Sequence, residues 1–221
     1  KQKKFLPLEM RLSLLSLNQV KNILKMKHDK ANIMVILSSP SGVGKTTLTK
    51  KIQQKFENFK ISVSHTTRLP RSNEVDSVDY FFISNQKFKE LADNKQFYEY
   101  AKIFENYYGT LKKNVDEIIL QNDLIFDIDW QGTKQLSKFK NLNLVKIFLI
   151  AENKEELKKR LVNRNQNTKE EVEKRFNSFD EDIIHWKDYD YVLINKNLDV
   201  CFHQIERIIF NHKSVIPHKV G

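Results

Sequence analysis

Apolar positions along this chain follow two rhythms. Short unbroken runs such as Ile33-Met34-Val35-Ile36-Leu37 read as strands buried on both faces, and the stretches between them carry apolar residues at helical spacing. From Asn32 onward the two alternate as βαβ units do. The pattern predicts parallel strands at 33–38, 60–63, 123–128, 144–149 and 190–194. It predicts helices at 45–56, 112–121, 131–138, 153–163, 168–184 and 198–212, with Asn153 and Thr168 as caps. Residues 65–110 break the rhythm. They are rich in aromatics, with short extended runs at Asp79–Ile83 and Phe97–Phe104 around one helical piece, 85–93, and read as a small, mostly β insertion. Before Asn32 the character differs again: Met10, Leu14, Leu17, Val20 and Leu24 recur every three to four residues, as in a basic amphipathic helix. That leader reads as a targeting presequence, an oligomer contact, or residues upstream of a true start at Met26 or Met34. The Lys-rich composition fits a presequence poorly.

The first strand runs into Ser39-Pro40-Ser41-Gly42-Val43-Gly44-Lys45-Thr46-Thr47, and a helix begins there. Strand, Gly-rich turn and helix in this order match G-x-x-x-x-G-K-[ST], a loop whose backbone N–H groups and helix N-terminus cradle phosphates. Ser41, Gly42, Val43, Gly44, Lys45, Thr46 and Thr47 are thus candidates for contacts to nucleotide phosphates, which the family resemblance described below assigns to ATP. Lys45 reaches the β- and γ-phosphates in such a loop, and the Thr46 hydroxyl serves Mg²⁺. The first glycine of the pattern is Ser39 here. That exchange costs about 1–2 kcal/mol if the position needs positive φ and nothing otherwise.

At 221 residues the chain has room for one α/β domain with smaller insertions. No apolar run is long enough for a membrane span, and Cys201 is the lone cysteine, so a soluble, cytoplasmic protein is expected. The net charge of +10 is uneven. Eight basic residues against Glu9 and Asp29 give residues 1–31 a charge of +6, which leaves +4 for the body. Such a surplus suits a protein that binds several phosphate groups, and no aromatic platform for nucleic acid accompanies it.

A second candidate phosphate site lies in the insertion, in Ser64-His65-Thr66-Thr67-Arg68-Leu69-Pro70-Arg71-Ser72-Asn73-Glu74 followed by Tyr80. Two arginines three residues apart beside a tyrosine offer planar donors to a phosphate. With the P-loop, with Phe97-Tyr98-Glu99-Tyr100, with Asn106-Tyr107-Tyr108-Gly109-Thr110 and with Asp127-Ile128-Asp129-Trp130-Gln131-Gly132, these residues resemble the guanylate kinase family from about Asn32 to His212. The resemblance implies phosphoryl transfer from ATP to GMP, and to dGMP, with Mg²⁺. It implies a P-loop parallel-sheet core with helices on both faces, a GMP-binding insertion and a helical lid. The expected division is 32–64 (core with P-loop), 65–110 (GMP-binding insertion), 111–155 (core), 156–184 (lid region) and 185–221 (last core strand and helix), with 1–31 as an extension dispensable for catalysis.

Carried over residue by residue, the resemblance puts Arg68, Arg71, Tyr80 and Tyr108 around the GMP phosphate, with Glu74 orienting an arginine. It puts Ser64, Glu99, Thr110 and Asp129 around guanine. Lys45, Arg68, Arg160, Arg164 and Arg175 become the catalytic cations, the last three from the lid, and Asp127 joins Thr46 near Mg²⁺. Guanine presents N1–H and N2–H₂ side by side, so one carboxylate accepts both, whereas adenine turns a lone pair toward it. Ser77 stands where the family usually has glycine or alanine, which bears on how Tyr80 is placed. Three rivals stay open. Asp129-x-x-Gly132 and Asn195-Lys196 echo GTPase motifs, another nucleoside monophosphate kinase would share the P-loop, and a non-catalytic guanylate-kinase-like module would bind protein partners. The oligomeric state, monomer or homodimer, is left open.

Overall fold

The computed structural model describes residues 32–162 and 169–214. The leader, Arg164 and the proposed cap Thr168 lie outside the described residues.

Five parallel strands form the main sheet: β1 (Met34–Ser38), β2 (Phe59–Ile61), β7 (Asp123–Asp127), β8 (Leu144–Ile150) and β9 (Tyr191–Ile194), in the order β2-β7-β1-β8-β9. β1 reads as a continuous apolar run because both of its faces are covered. Val35 and Leu37 pack into one cluster with Leu48, Ile52, Leu157, Leu161, Ile205 and Ile209. Met34 and Ile36 join Val115, Leu124, Phe126 and Leu136 on the other side. Leu124 and Phe126 come from β7, and the helices that supply the rest are α1 (Lys45–Lys55), α3 (Lys112–Ile119), α4 (Trp130–Leu136), α5 (Lys154–Val162) and α8 (Leu198–Ser214). After β1 the chain first fills one side of the sheet and then the other, so the end of β1 is the switch point where α/β sheets bind ligands.

A second sheet, in the order β4-β3-β6-β5, is built from β3 (His65–Thr66), β4 (Phe81–Phe82), β5 (Phe97–Ile103) and β6 (Asn106–Leu111). Helix α2 (Asn85–Asp93) packs Phe88 against Phe97 and Tyr107. The pairing of β5 with β6 slips between Phe97 and Glu99. Such a bulge swaps the face that following residues present. Phe97 and Tyr100 both lie against Phe88, whereas Glu99, Ala101 and Ile103 line a cleft.

Asn153 caps α5 as expected, accepting from the Glu156 N–H at 2.8 Å. The single helix expected at 168–184 is instead three pieces: α6 (Lys169–Asn177), α7 (Phe179–Ile183) and a 3₁₀ turn (Ile184–Asp188). The Ser178 hydroxyl donates to the Arg175 carbonyl at 3.1 Å, competing for the acceptor that a continuous helix would use.

Candidate active site

The loop between β1 and α1 wraps the sheet's switch point. Gly42 and Gly44 have φ of +90° and +109°, which side chains rarely adopt, and a Cβ on Gly44 would meet Asn195 Nδ2 at 2.9 Å. Asn195, from the end of β9, donates to the Val43 carbonyl at 2.7 Å and so braces the loop from behind. Val43 itself is buried in the core, and Thr47 points to solvent from the first turn of α1. Ser39 is not among the residues with positive φ, so its replacement of glycine is harmless. Its carbonyl and hydroxyl accept from Lys45 Nζ at 3.2 and 3.1 Å. Thr46 donates to Asp127 Oδ2 at 2.6 Å, and Arg175 Nη1 donates to Ser41 Oγ at 2.9 Å.

A cleft of about 370 Å³ runs from this loop to the second sheet. On its far wall Arg68 pairs bidentately with Glu74, Nη1 to Oε2 at 2.8 Å and Nη2 to Oε1 at 2.9 Å. Its Nε donates to the Tyr108 hydroxyl at 3.3 Å, and its guanidinium lies 5.3 Å from the centre of the Tyr80 ring. Glu74 also accepts from the Arg71 backbone N–H at 2.8 Å. Burial alone would raise the Glu74 carboxyl, but its bonds to Arg68 and Arg71 hold it below its ordinary value. Arg68, Arg71, Tyr80 and Tyr108 thus share one wall. Ser77 has φ of +64°, which accounts for a glycine preference there. The turn still closes, through the Ser77 N–H donating to the Tyr80 carbonyl at 2.7 Å, and Tyr80 keeps its place.

At the inner end of the cleft sits Glu99, only 4% exposed. Thr110 donates to its Oε1 at 2.6 Å, and Ser64 Oγ lies 3.5 Å from Thr110 Oγ1. A Cβ on Gly132 would stand 2.5 Å from Oε2, so only glycine leaves room for the carboxylate. Burial pushes Glu99 up to about 8, helped by the charge of Asp129 and opposed by Thr110. Asp129 is raised as well, mainly by burial, although the Gly132 N–H donates to it at 2.9 Å. It also caps α4, which fixes its carboxylate beside that of Glu99.

Arg160 is not part of this assembly. It bonds to Glu156 at 3.2 Å and reaches the carbonyls of Asn195 and Lys196 at 3.3 and 3.5 Å, beside the loop that braces the P-loop. Conversely, the sequence reading passed over Asp182 and Phe104, which line the cleft, and Asn195 as a brace. Asp182 accepts from Trp130 Nε1 at 3.2 Å, and burial pushes it up to about 6. Trp130 in turn stacks on His185, with ring centres 3.6 Å apart. The acidic run Asp180-Glu181-Asp182 was the available signal for this contact, but nothing local singles out which carboxylate turns inward.

A phosphate loop at the switch point of a parallel sheet, facing an arginine-lined wall on a small second sheet, defines a P-loop nucleotide phosphotransferase. The comparisons are more specific. The family profile described as guanylate kinase matches residues 31–212. Curated relatives named guanylate kinase include one from Paramagnetospirillum magneticum, 38% identical over 87% of this chain and 90% of its own length. Another, from Rickettsia prowazekii, is 41% identical over 83% and 93%. The crystal structure of guanylate kinase from Anaplasma phagocytophilum superposes with a TM-score of 0.69 at 30% identity, covering 84% of this chain and 88% of that one. The chain belongs to the guanylate kinase family. The α/β fold expected from the sequence, with its P-loop parallel sheet and small second sheet, is the fold observed. Among the described residues, no helix is long and apolar enough to cross a membrane.

Proposed function

We propose that the protein transfers the γ-phosphoryl group of ATP to GMP, giving ADP and GDP, through the cleft between the P-loop and the second sheet. The observation that carries this reading is that one cleft brings together Lys45 and Thr46 of the P-loop, the arginines Arg68 and Arg71, and a buried carboxylate, Glu99. A nucleoside monophosphate spans such a cleft with its base on Glu99 and its phosphate on the arginines. Guanine brings two adjacent donors to that carboxylate, and adenine does not. Base and phosphate carry the recognition, which supports dGMP as a second acceptor.

The attacking group is a phosphate oxygen, already anionic near neutral pH, so the chain's task is to relieve repulsion between two polyanions and hold them in line. Lys45 supports the donor phosphates and Arg175 reaches toward them past Ser41. Arg68, oriented by Glu74, and Arg71 hold the acceptor phosphate. Arg160 and Arg164 remain candidates for the nucleotide side of the lid. Thr46 Oγ1 and Asp127 Oδ2, 2.6 Å apart, are hard oxygen donors that suit Mg²⁺, Thr46 directly and Asp127 through water. Bound with ATP, the ion would supply charge neutralisation at the β- and γ-phosphate oxygens. The non-catalytic reading is not favoured, because Lys45, Thr46, Asp127, Arg68, Arg71 and Glu99 all line the one cleft.

The test is calorimetric. Replacing Arg71 by Ala removes charge-assisted bonds worth about 1.5–3 kcal/mol, so GMP should bind roughly 10- to 150-fold more weakly while ATP affinity stays within about twofold. Weakened ATP with unchanged GMP would overturn the assignment.

A further inference from the structure

The tip of the β5–β6 hairpin carries an aromatic residue where the backbone favours glycine. Ile103 pairs with Asn106, so Phe104 and Glu105 form a two-residue loop. Phe104 has φ of +54°, whereas Glu105 is not among the positive-φ residues. The first place of such a loop is the usual seat of glycine, because a Cβ crowds the backbone there. The Phe104 side chain is also 41% exposed, so burial in a core does not account for it.

What the ring meets is Arg175. The guanidinium carbon lies 5.9 Å from the centre of the Phe104 ring, and Nη1 of the same arginine donates to Ser41 Oγ at 2.9 Å. Phe104 belongs to the second sheet, Arg175 to α6 and Ser41 to the P-loop, and all three line the cleft.

We propose that Phe104 is a positioning residue for the phosphoryl transfer: its ring seats the Arg175 guanidinium against the P-loop and so ties the donor-side charge to the acceptor-binding sheet. The negative face of an aromatic ring attracts a guanidinium, and more strongly in a partly desolvated cleft. Held between ring and hydroxyl, the long arginine side chain loses rotamer freedom before the reaction and not during it, which is how a preorganised charge helps a transition state. Strained backbone at a cleft, supporting a contact of this kind, is where strain and function tend to coincide. The proposal rests on the reading of Arg175 as a group that meets the donor phosphates.

The experiment measures kcat, KM for each substrate and melting temperature for Phe104→Leu, Phe104→Gly, Phe104→Tyr, Arg175→Ala and the double variant F104L/R175A. Phe104→Leu and Phe104→Gly should lower kcat about threefold to tenfold with KM for GMP within about twofold. Phe104→Gly should not melt below the wild type, since glycine relaxes the loop, and Phe104→Tyr should restore most of kcat. In the Arg175→Ala background Phe104→Leu should have little further effect. Wild-type kcat in Phe104→Leu or Phe104→Gly, or losses that multiply fully in the double variant, would overturn the proposal. An Arg175→Ala enzyme with undiminished kcat would instead overturn the underlying reading of Arg175.

Discussion

Replacing Glu99 by Gln separates the cost of the base pocket from its use. In the nucleotide-free protein the Glu99 carboxyl is pushed up to about 8, chiefly by burial, so it holds a proton at neutral pH. A folded-state value above the unfolded one gives stability that is present below about pH 4.5 and is lost as pH rises through about 8. Glutamine carries no charge to bury. The stability of Glu99→Gln should therefore overtake that of the wild type as pH rises, by an amount on the order of 2–4 kcal/mol at pH 9, read as a higher melting temperature. Binding should move the opposite way. The carboxylate accepts from guanine N1–H and N2–H₂ together, whereas an amide offers one acceptor and sets its own donors against the rest. The loss is about 2–4 kcal/mol, or roughly 30- to 1000-fold in GMP affinity. Because guanine selects the ionised carboxyl, wild-type GMP affinity should rise up to about tenfold per unit between pH 7 and 8, above the range where the phosphate monoester titrates. In Glu99→Gln that slope should vanish. Calorimetry in buffers of different ionisation enthalpy, alongside thermal melts from pH 5 to 9, measures both. A variant that melts below the wild type at pH 9 and binds GMP with the wild-type slope would refute the reasoning.

Lys45→Ala should lower kcat by about 10²-fold or more, as loss of a preorganised charge does, while shifting stability by less than about 1 kcal/mol. Among the described residues its Nζ bonds only to Ser39, so parallel stopped-time assays and melts decide the matter, and a large loss of stability would contradict the assignment. Ser77→Gly should stabilise the fold by about 1 kcal/mol, because φ of +64° strains serine and not glycine. A denaturant midpoint that stays put or falls would show that the Ser77 hydroxyl bond to Asp76, at 2.9 Å, outweighs the strain.

The parallel sheet was legible because its strands are apolar on both faces, as Met34–Ser38 is, and the P-loop because its glycines answer to backbone requirements at Gly42 and Gly44. The second sheet was legible only in part. β3 and β4 have two residues each, too few to show a period, and β6 (Asn-Tyr-Tyr-Gly-Thr-Leu) carries cleft residues in place of an alternating apolar face. The bulge that turns Glu99 into the cleft leaves no mark in local composition, since it depends on how β6 pairs. Arg160 illustrates a different limit of local sequence. Its helix was read correctly, but which way a long side chain turns depends on carbonyls 35 and 36 residues away, and these draw it toward Asn195 and Lys196.

The most direct test of the account is turnover with ATP and Mg²⁺ against GMP, dGMP, AMP, CMP and UMP in parallel, read as ADP release. Above about pH 8, where Glu99 is ionised, the pocket predicts that GMP leads and that kcat/KM for AMP is lower by about 10³-fold or more, since adenine leaves a buried carboxylate facing a lone pair. Equal turnover of AMP, or hydrolysis of GTP with no acceptor present, would contradict it.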